Sequence, residues 1–125
     1  DRFVFQSEVL FGSGSAKIGG AGETQLTQLA TTLRDISKKI PAKINWVLRV
    51  DGHTDRIPIR TPKYSSNWEL SSARAISVVK FLTAQGIPAE RLAATGFGEH
   101  QPLDAREDEI AFRRNRRIEL KLTQR

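Results

Sequence analysis

The sequence predicts an α/β protein of the two-layer, α+β kind: a mixed four-stranded sheet packed by helices, in the order β-α-β-α-β-α-β. Three observations predict it. Apolar residues recur at three- and four-residue steps from Leu26 to Ile40 and from Leu70 to Leu82, as on one side of a helix. They alternate with polar residues from Ile44 to Asp51 and from Ile118 to Leu122, as in strands with one buried face. Glycine and proline stand between these stretches.

Phe3 to Phe11 is apolar and β-prone, and reads as a strand or two short extended pieces ended by Gly12-Ser13-Gly14-Ser15. Gly19-Gly20-Ala21-Gly22 reads as a second flexible stretch. The helix through Leu26, Leu29, Ala30, Leu33 and Ile36 spans about four turns. Lys38 and Lys39 suit its C-terminal dipole and Pro41 stops it. In the strand of Ile44, Trp46, Leu48 and Val50, Val47 breaks the alternation, so the second face is expected to be partly covered. This strand runs into Gly52-His53-Thr54-Asp55 and a loop with Pro58 and Pro62. Ser66-Asn67-Trp68-Glu69 has the form of a capping box and starts a helix that runs to about Gln85, before Gly86 and Pro88. Leu92 to Thr95 reads as a short strand closed by Gly96-Phe97-Gly98. Asp104 to Arg114 reads as a short polar helix before the last strand.

At 125 residues the chain suits one domain, 1–125. It has no cysteine, which excludes a disulfide framework, a thiol nucleophile and a cysteine-based zinc site. It has no methionine even at position 1, and reads as a fragment of a longer, membrane-anchored protein. No apolar run approaches the ~18–20 residues of a membrane span, so any membrane contact is expected through a segment outside this chain. The net charge of +6 favours anionic partners: nucleic acid, acidic lipid or the carboxylates of cell-wall peptides.

On a wheel of the second helix, Ala75, Ile76, Val79 and Leu82 mark the core face, and Ser77, Lys80 and Ala84 the solvated one. Arg74 falls between Leu70, Val78 and Phe81, with Asn67 two turns back. A guanidinium with such sheltered walls suits a carboxylate, which it grips by two parallel N–H···O bonds. Asp55 lies just past a strand's C-terminal end, where ligands collect in open α/β sheets. It is either a turn residue capping its own loop or an acceptor for a ligand ammonium. Together Asp55 and Arg74 either form an internal salt bridge or read the zwitterionic head of an amino acid.

Gly52-His53-Thr54-Asp55, followed by Asn67-Trp68-Glu69-Leu70-Ser71-Ser72-Ala73-Arg74-Ala75, resembles the G-H-T-D … N-x-x-L-S-x-x-R-A core of the OmpA C-terminal-like peptidoglycan-binding domains. Gly86-Ile87-Pro88, Arg91-Leu92, Gly96-Phe97-Gly98-Glu99, Pro102 and Asn115-Arg116-Arg117-Ile118-Glu119 resemble that family's later segments. The match runs from about Val9 to Leu122. Ser66 to Ser71, the long proline-bearing loop from Arg56 and Leu10 to Ala16 resemble the MotB branch.

The resemblance implies non-covalent binding of peptidoglycan through the diaminopimelate of the stem peptide, by a periplasmic, non-enzymatic domain without cofactor or metal. It implies that Asp55 holds the ligand ammonium and Arg74 the carboxylate. Thr54, Asn67, Leu70 and an arginine of the N-R-R segment stand around them; Arg117 is preferred, with Arg116 the alternative. Many members carry an aspartate where this chain has Gly12, so contacts there are expected from the Gly12 and Ser13 backbone. The MotB-like branch also implies a homodimeric anchor of a membrane motor, with Ile57 and Ile59 available to an interface.

Other chemistries are poorly supplied. The chain has only two histidines, His53 and His100, and lacks G-x-S-x-G, H-E-x-x-H and P-loop motifs. Arg113-Arg114-Asn115-Arg116-Arg117 could be a nucleic-acid patch, but no aromatic residue interleaves it, and strand alternation sends Arg116 and Arg117 to opposite faces.

Overall fold

A computed structural model of the chain describes residues 2–124. The elements are β1 (Arg2–Gln6), α1 (Ser7–Leu10), α2 (Gly20–Lys39), β2 (Trp46–His53), α3 (Asn67–Ala84), a 3₁₀ turn (Ala89–Arg91), β3 (Leu92–Gly98), α4 (Glu109–Asn115) and β4 (Arg117–Gln124). The four strands form one mixed sheet in the order β1-β4-β2-β3. β4 is antiparallel to both β1 and β2, while β2 and β3 are parallel and connected through α3.

Alternation along the strands divides the sheet into two unlike faces. Leu48 and Val50 of β2 and Ile118 and Leu120 of β4 point into the core, where Phe3 and Phe5 of β1 join them. Leu26, Leu29, Ala30 and Leu33 of α2 and Ala75, Val78 and Leu82 of α3 complete it. Burying each large aliphatic side chain contributes roughly 1.5–3 kcal/mol. The opposite parity carries charge. Asp51, His53, Arg117 and Glu119 are all at most 5% exposed. The second face of β2 is therefore more fully covered than Val47 alone suggested.

The fold class agrees with the sequence reading, and four local expectations are corrected. The first strand is short, because after Gln6 the chain turns through α1 and seats Leu10 and Phe11 in the core. The glycine stretch is the first turn of α2: Gly22 packs on the Leu10 backbone, where a Cβ would meet the carbonyl oxygen at 2.7 Å. The core face of α3 is rotated from the wheel reading. Val78 is fully buried and Ile76 is 44% exposed, since the helix turns Ser71, Ala75, Val78 and Leu82 inward. The last helix starts late, at Glu109, capped by Asp108, whose carboxylate accepts from the Ala111 amide.

The rotation of α3 has a steric cause. A Cβ on Gly52 would lie 2.2 Å from the Ser71 carbonyl oxygen, and one on Gly96 would lie 2.7 Å from the Ser72 amide nitrogen. Backbone of the helix thus rests directly on backbone of β2 and β3, and the Ser71 hydroxyl accepts a hydrogen bond from the Gly98 amide at 3.0 Å. The start of α3 is fixed by Ser66, whose hydroxyl accepts from the Trp68 amide and meets the Glu69 carboxylate.

Gly52→Ala is expected to destabilise the fold by about 1–3 kcal/mol through forced overpacking. Gly20→Ala, which enters open space in the first turn of α2, is expected to be neutral or stabilising. Urea unfolding midpoints of the two variants check this, and equal midpoints would contradict it.

Candidate functional site

A cleft of about 600 Å³ opens between the loop after α1, the loop after β2 and the first turns of α3. Gly12, Ser13, Thr54, Asp55, Asn67, Leu70 and Arg74 all line it, together with Glu8 and Arg116.

Asp55 is held by the backbone that follows it. Its Oδ1 accepts from the Ile57 amide at 3.0 Å, and its Oδ2 accepts from Arg116 Nη1 at 2.6 Å. It is thus a loop-capping residue and also a carboxylate on the cleft wall. Thr54 fastens the same turn: its amide donates to the Gly98 carbonyl at 2.9 Å and its hydroxyl to the Asp55 carbonyl at 2.8 Å. Asn67 donates to the Ile57 carbonyl at 3.1 Å and so joins α3 to the loop. Leu70 packs with Ala16 and Tyr64 in a small second core, against which Ile59 also packs. Ile59 is therefore partly committed to the interior, whereas Ile57 is exposed.

Arg74 is 5% exposed. Its Nε donates to the Ser15 carbonyl at 2.8 Å and its Nη2 to the Gly12 carbonyl at 3.3 Å. Its guanidinium lies 5.1 Å from the Phe11 ring centroid, a cation–π arrangement. Burial lowers its pKa from the ordinary value, with Glu8 acting the other way; an arginine so shifted remains charged. Among the described residues Nη1 makes no hydrogen bond, and Arg74 and Asp55 form no ion pair with each other. The internal Asp55–Arg74 salt bridge weighed from the sequence is therefore replaced by an Asp55–Arg116 pair.

Arg117, preferred from the sequence, is corrected to Arg116. Arg117 shares the parity of Glu119 and lies on the other face of the sheet. There its Nε meets Glu119 Oε2 at 2.5 Å and its Nη2 donates to the Gln101 carbonyl at 3.0 Å. Arg116 has the parity of Ile118, on the side facing α3. It donates to Glu8 at 2.6 Å, to Asp55 at 2.6 Å and to Glu109 at 2.9 Å. Desolvation opposes its charge, but the hydrogen bonds it donates to the three carboxylates prevail and raise its pKa. The parity of Ile118 and Leu120 was the signal for this choice. Glu8 escaped the sequence reading because a stretch read as strand gave no reason to bring it here. The basic run of 113–117 is also dispersed: Arg113 and Arg114 are exposed, Arg116 is ringed by carboxylates and Arg117 is buried.

The cleft thus offers both signs of charge: the Asp55 and Glu8 carboxylates around Arg116, and the Arg74 guanidinium with one nitrogen open.

His53 lies on the polar face, outside the cleft. Its ring stacks on Phe97 at 5.0 Å, and its Nδ1 is buried without a partner among the described residues. Burial, and next the Arg117 charge, lower its pKa to about 4.

Known proteins resemble the chain in sequence and in fold. The OmpA family model matches residues 10–116. The Bacillus subtilis protein YtxE is 37% identical over 118 residues, covering 94% of this chain and 46% of its own length. The chain spans less than half the length of the curated relatives it matches. A MotB-like protein from Desulfovibrio vulgaris superposes with a TM-score of 0.86 at 28% identity, covering 99% of this chain and 73% of its own. The cell wall anchor of the T6SS from Pseudomonas aeruginosa does so with a TM-score of 0.83 at 32% identity, covering 98% and 80%.

A pH dependence follows from His53. The folded form takes up its proton near pH 4 and an unfolded histidine near 6.5, so the unfolded chain binds more protons between these values. Stability is expected to fall as pH drops through that window, by about 2 kcal/mol at pH 5. Urea midpoints at pH 7.5 and pH 5 measure it. His53→Gln should flatten the difference, and an unchanged difference in that variant would contradict the assignment.

Proposed function

The chain belongs to the OmpA family, and on that premise we propose that it binds peptidoglycan without covalent chemistry, through the diaminopimelate of the stem peptide, and tethers its parent protein to the cell wall. One observation carries the reading: Asp55 and a sheltered Arg74 with an open nitrogen line the same cleft. The free end of diaminopimelate carries an ammonium and a carboxylate on one carbon. In the proposed pose the ammonium meets Asp55, with Glu8 nearby, and the carboxylate meets Arg74.

The physical case rests on preorganisation. Arg74 is held by two carbonyls and the Phe11 ring, so little side-chain freedom remains to be lost when a ligand arrives. A charge-assisted bond to a sheltered guanidinium is stronger than one at an open surface. Arg116 already neutralises part of Asp55; because Glu8 and Glu109 also hold Arg116, it can share Asp55 with an incoming ammonium. Gly12 and Ser13 bound the cleft beside Arg74.

The Pseudomonas cell wall anchor, similar over nearly the whole chain, supports a tethering role. The reading places the domain in the periplasm, as a non-enzymatic module whose membrane attachment lies in another segment of the parent protein. Similarity to the Desulfovibrio MotB-like protein favours a more specific second reading, a dimeric anchor of a membrane motor.

Arg74→Ala is expected to abolish co-sedimentation with purified sacculi, with circular dichroism confirming that the fold persists. Arg74→Lys should also bind poorly, because a point charge does not replace the planar fork, and Asp55→Asn should fail for the complementary reason. Full binding by the Arg74 variants would refute the clamp. Amidating the free carboxylate of diaminopimelate in a muropeptide should weaken binding by tenfold or more, measured by fluorescence titration. Equal affinity for both forms would overturn the carboxylate assignment.

A further inference from the structure

The face of the sheet turned away from the cleft carries a second groove, of about 300 Å³, that the proposed clamp does not touch. Strand register sets its charges in rows. Arg2 of β1 stands opposite Lys121 of β4, and Lys121 stands opposite Arg49 of β2. In the next row Glu119 stands opposite Asp51, and beyond them Arg117 stands opposite His53. All of these residues line the groove, which therefore holds four cations and two carboxylates. His53 adds no charge near neutral pH, because burial lowers its pKa to about 4.

The two carboxylates are fully engaged within the protein. Both oxygens of Asp51 accept from Arg49 Nε, at 2.8 and 3.1 Å. Glu119 accepts from Arg2 Nη1 at 3.0 Å and from Arg117 Nε at 2.5 Å. Donors are left over. Among the described residues the two terminal nitrogens of Arg49 and the Lys121 ammonium make no hydrogen bond, and Lys121 lies 4.0 Å from Glu119 Oε1. Like charges directly opposite each other destabilise a sheet, and this row contains two such pairs side by side. An anion seated over Lys121 turns that repulsion into attraction from three strands.

The walls of the groove are held in place. Phe97 stacks on His53 at 5.0 Å and faces the Arg49 guanidinium at 5.9 Å. The segment through Gln101 and Leu103 is tied down by Arg117, which donates to the Gln101 carbonyl at 3.0 Å, and by Asn115, whose Oδ1 accepts from the Leu103 amide at 2.9 Å. His53 is 5% exposed, and its Nδ1 is buried without a partner among the described residues, so this wall keeps one polar nitrogen unused.

The donor set narrows the ligand. A carboxylate presents two oxygens in one plane. A phosphate monoester presents three oxygens around a tetrahedral phosphorus and carries up to two negative charges. That matches the excess of two positive charges and donors arriving from three adjacent strands. Neighbouring strands lie about 4.8 Å apart, so side chains as long as arginine and lysine converge on one such group from across the row. Phe97 and the half-exposed Leu103 offer apolar contact to the carbon side of the ester.

We propose that the row of Arg2, Lys121 and Arg49 binds a phosphate monoester, on the face of the sheet opposite the cleft. The site goes beyond the wall-binding reading and does not depend on it.

Calorimetry with glycerol 3-phosphate at low ionic strength tests the proposal. The natural chain should show saturable one-to-one binding that inorganic phosphate displaces. Lys121→Gln, which breaks no side-chain hydrogen bond within the protein, should weaken binding about tenfold. It should neither lower the urea midpoint nor change co-sedimentation with sacculi. Lys80→Gln, which removes an exposed charge from α3, should leave glycerol 3-phosphate binding unchanged. Equal weakening by the two variants would overturn the proposal, since net charge alone would then account for the attraction. Absence of saturable binding would overturn it too, including the case in which only phosphatidylglycerol vesicles retain the chain, a result that belongs to a membrane surface.

Discussion

The structure depends on a contact of backbone with backbone: α3 rests on β2 and β3 with no side chain at Gly52 or Gly96 to hold it off. Any residue larger than glycine there would have to displace a carbonyl or an amide. This contact fixes both the height and the rotation of α3 over the sheet. It therefore decides that Asn67, Leu70 and Arg74, spaced at three- and four-residue steps, face the end of β2 where Thr54 and Asp55 emerge. The cleft follows from a packing constraint some residues away from its own walls.

Two arginines, one in the cleft and one on the opposite face of the sheet, show how the same group serves different ends. Arg74 is buried without a carboxylate; carbonyl oxygens of Ser15 and Gly12 and the face of Phe11 replace its water. Those partners carry only partial charge, so an anion arriving at its open nitrogen gains a strong interaction. Arg117 on the opposite sheet face engages each of its nitrogens, with Glu119 and two carbonyls. Removing one member of such a buried pair is costly, since it strands the other charge. Arg74 thus keeps one nitrogen free of protein partners among the described residues, whereas Arg117 holds the polar face together.

Much of this architecture was legible in the sequence. Periodicity located both long helices and the two longer strands, and the Ser66 capping box located the start of α3. That Asp55 and Arg74 come to one cleft was readable because strand ends and helix faces are local properties. What failed required contacts between distant segments. Ser7–Leu10 looks extended by composition, yet the need to bury Leu10 beside α2 folds it into a helical turn. The inward face of α3 could not be set by hydrophobicity alone, because Gly52 and Gly96 accept Ser71 and Ser72 more closely than any apolar side chain could approach. Glu8 entered the site only through that same turn. Arg116 was recoverable from strand parity, which outranks the general resemblance that favoured its neighbour.

The account reduces to one recognition event, in which a sheltered guanidinium and a nearby carboxylate read the two charges on a single carbon of a wall peptide. Diaminopimelate and lysine differ there by one carboxylate and are otherwise alike. Calorimetry of the natural chain with a diaminopimelate stem peptide and with its lysine counterpart isolates that group. The account predicts that the lysine peptide binds at least tenfold more weakly, with the difference largely retained as salt is raised because Arg74 is shielded from solvent. Equal affinity for the two peptides would contradict it.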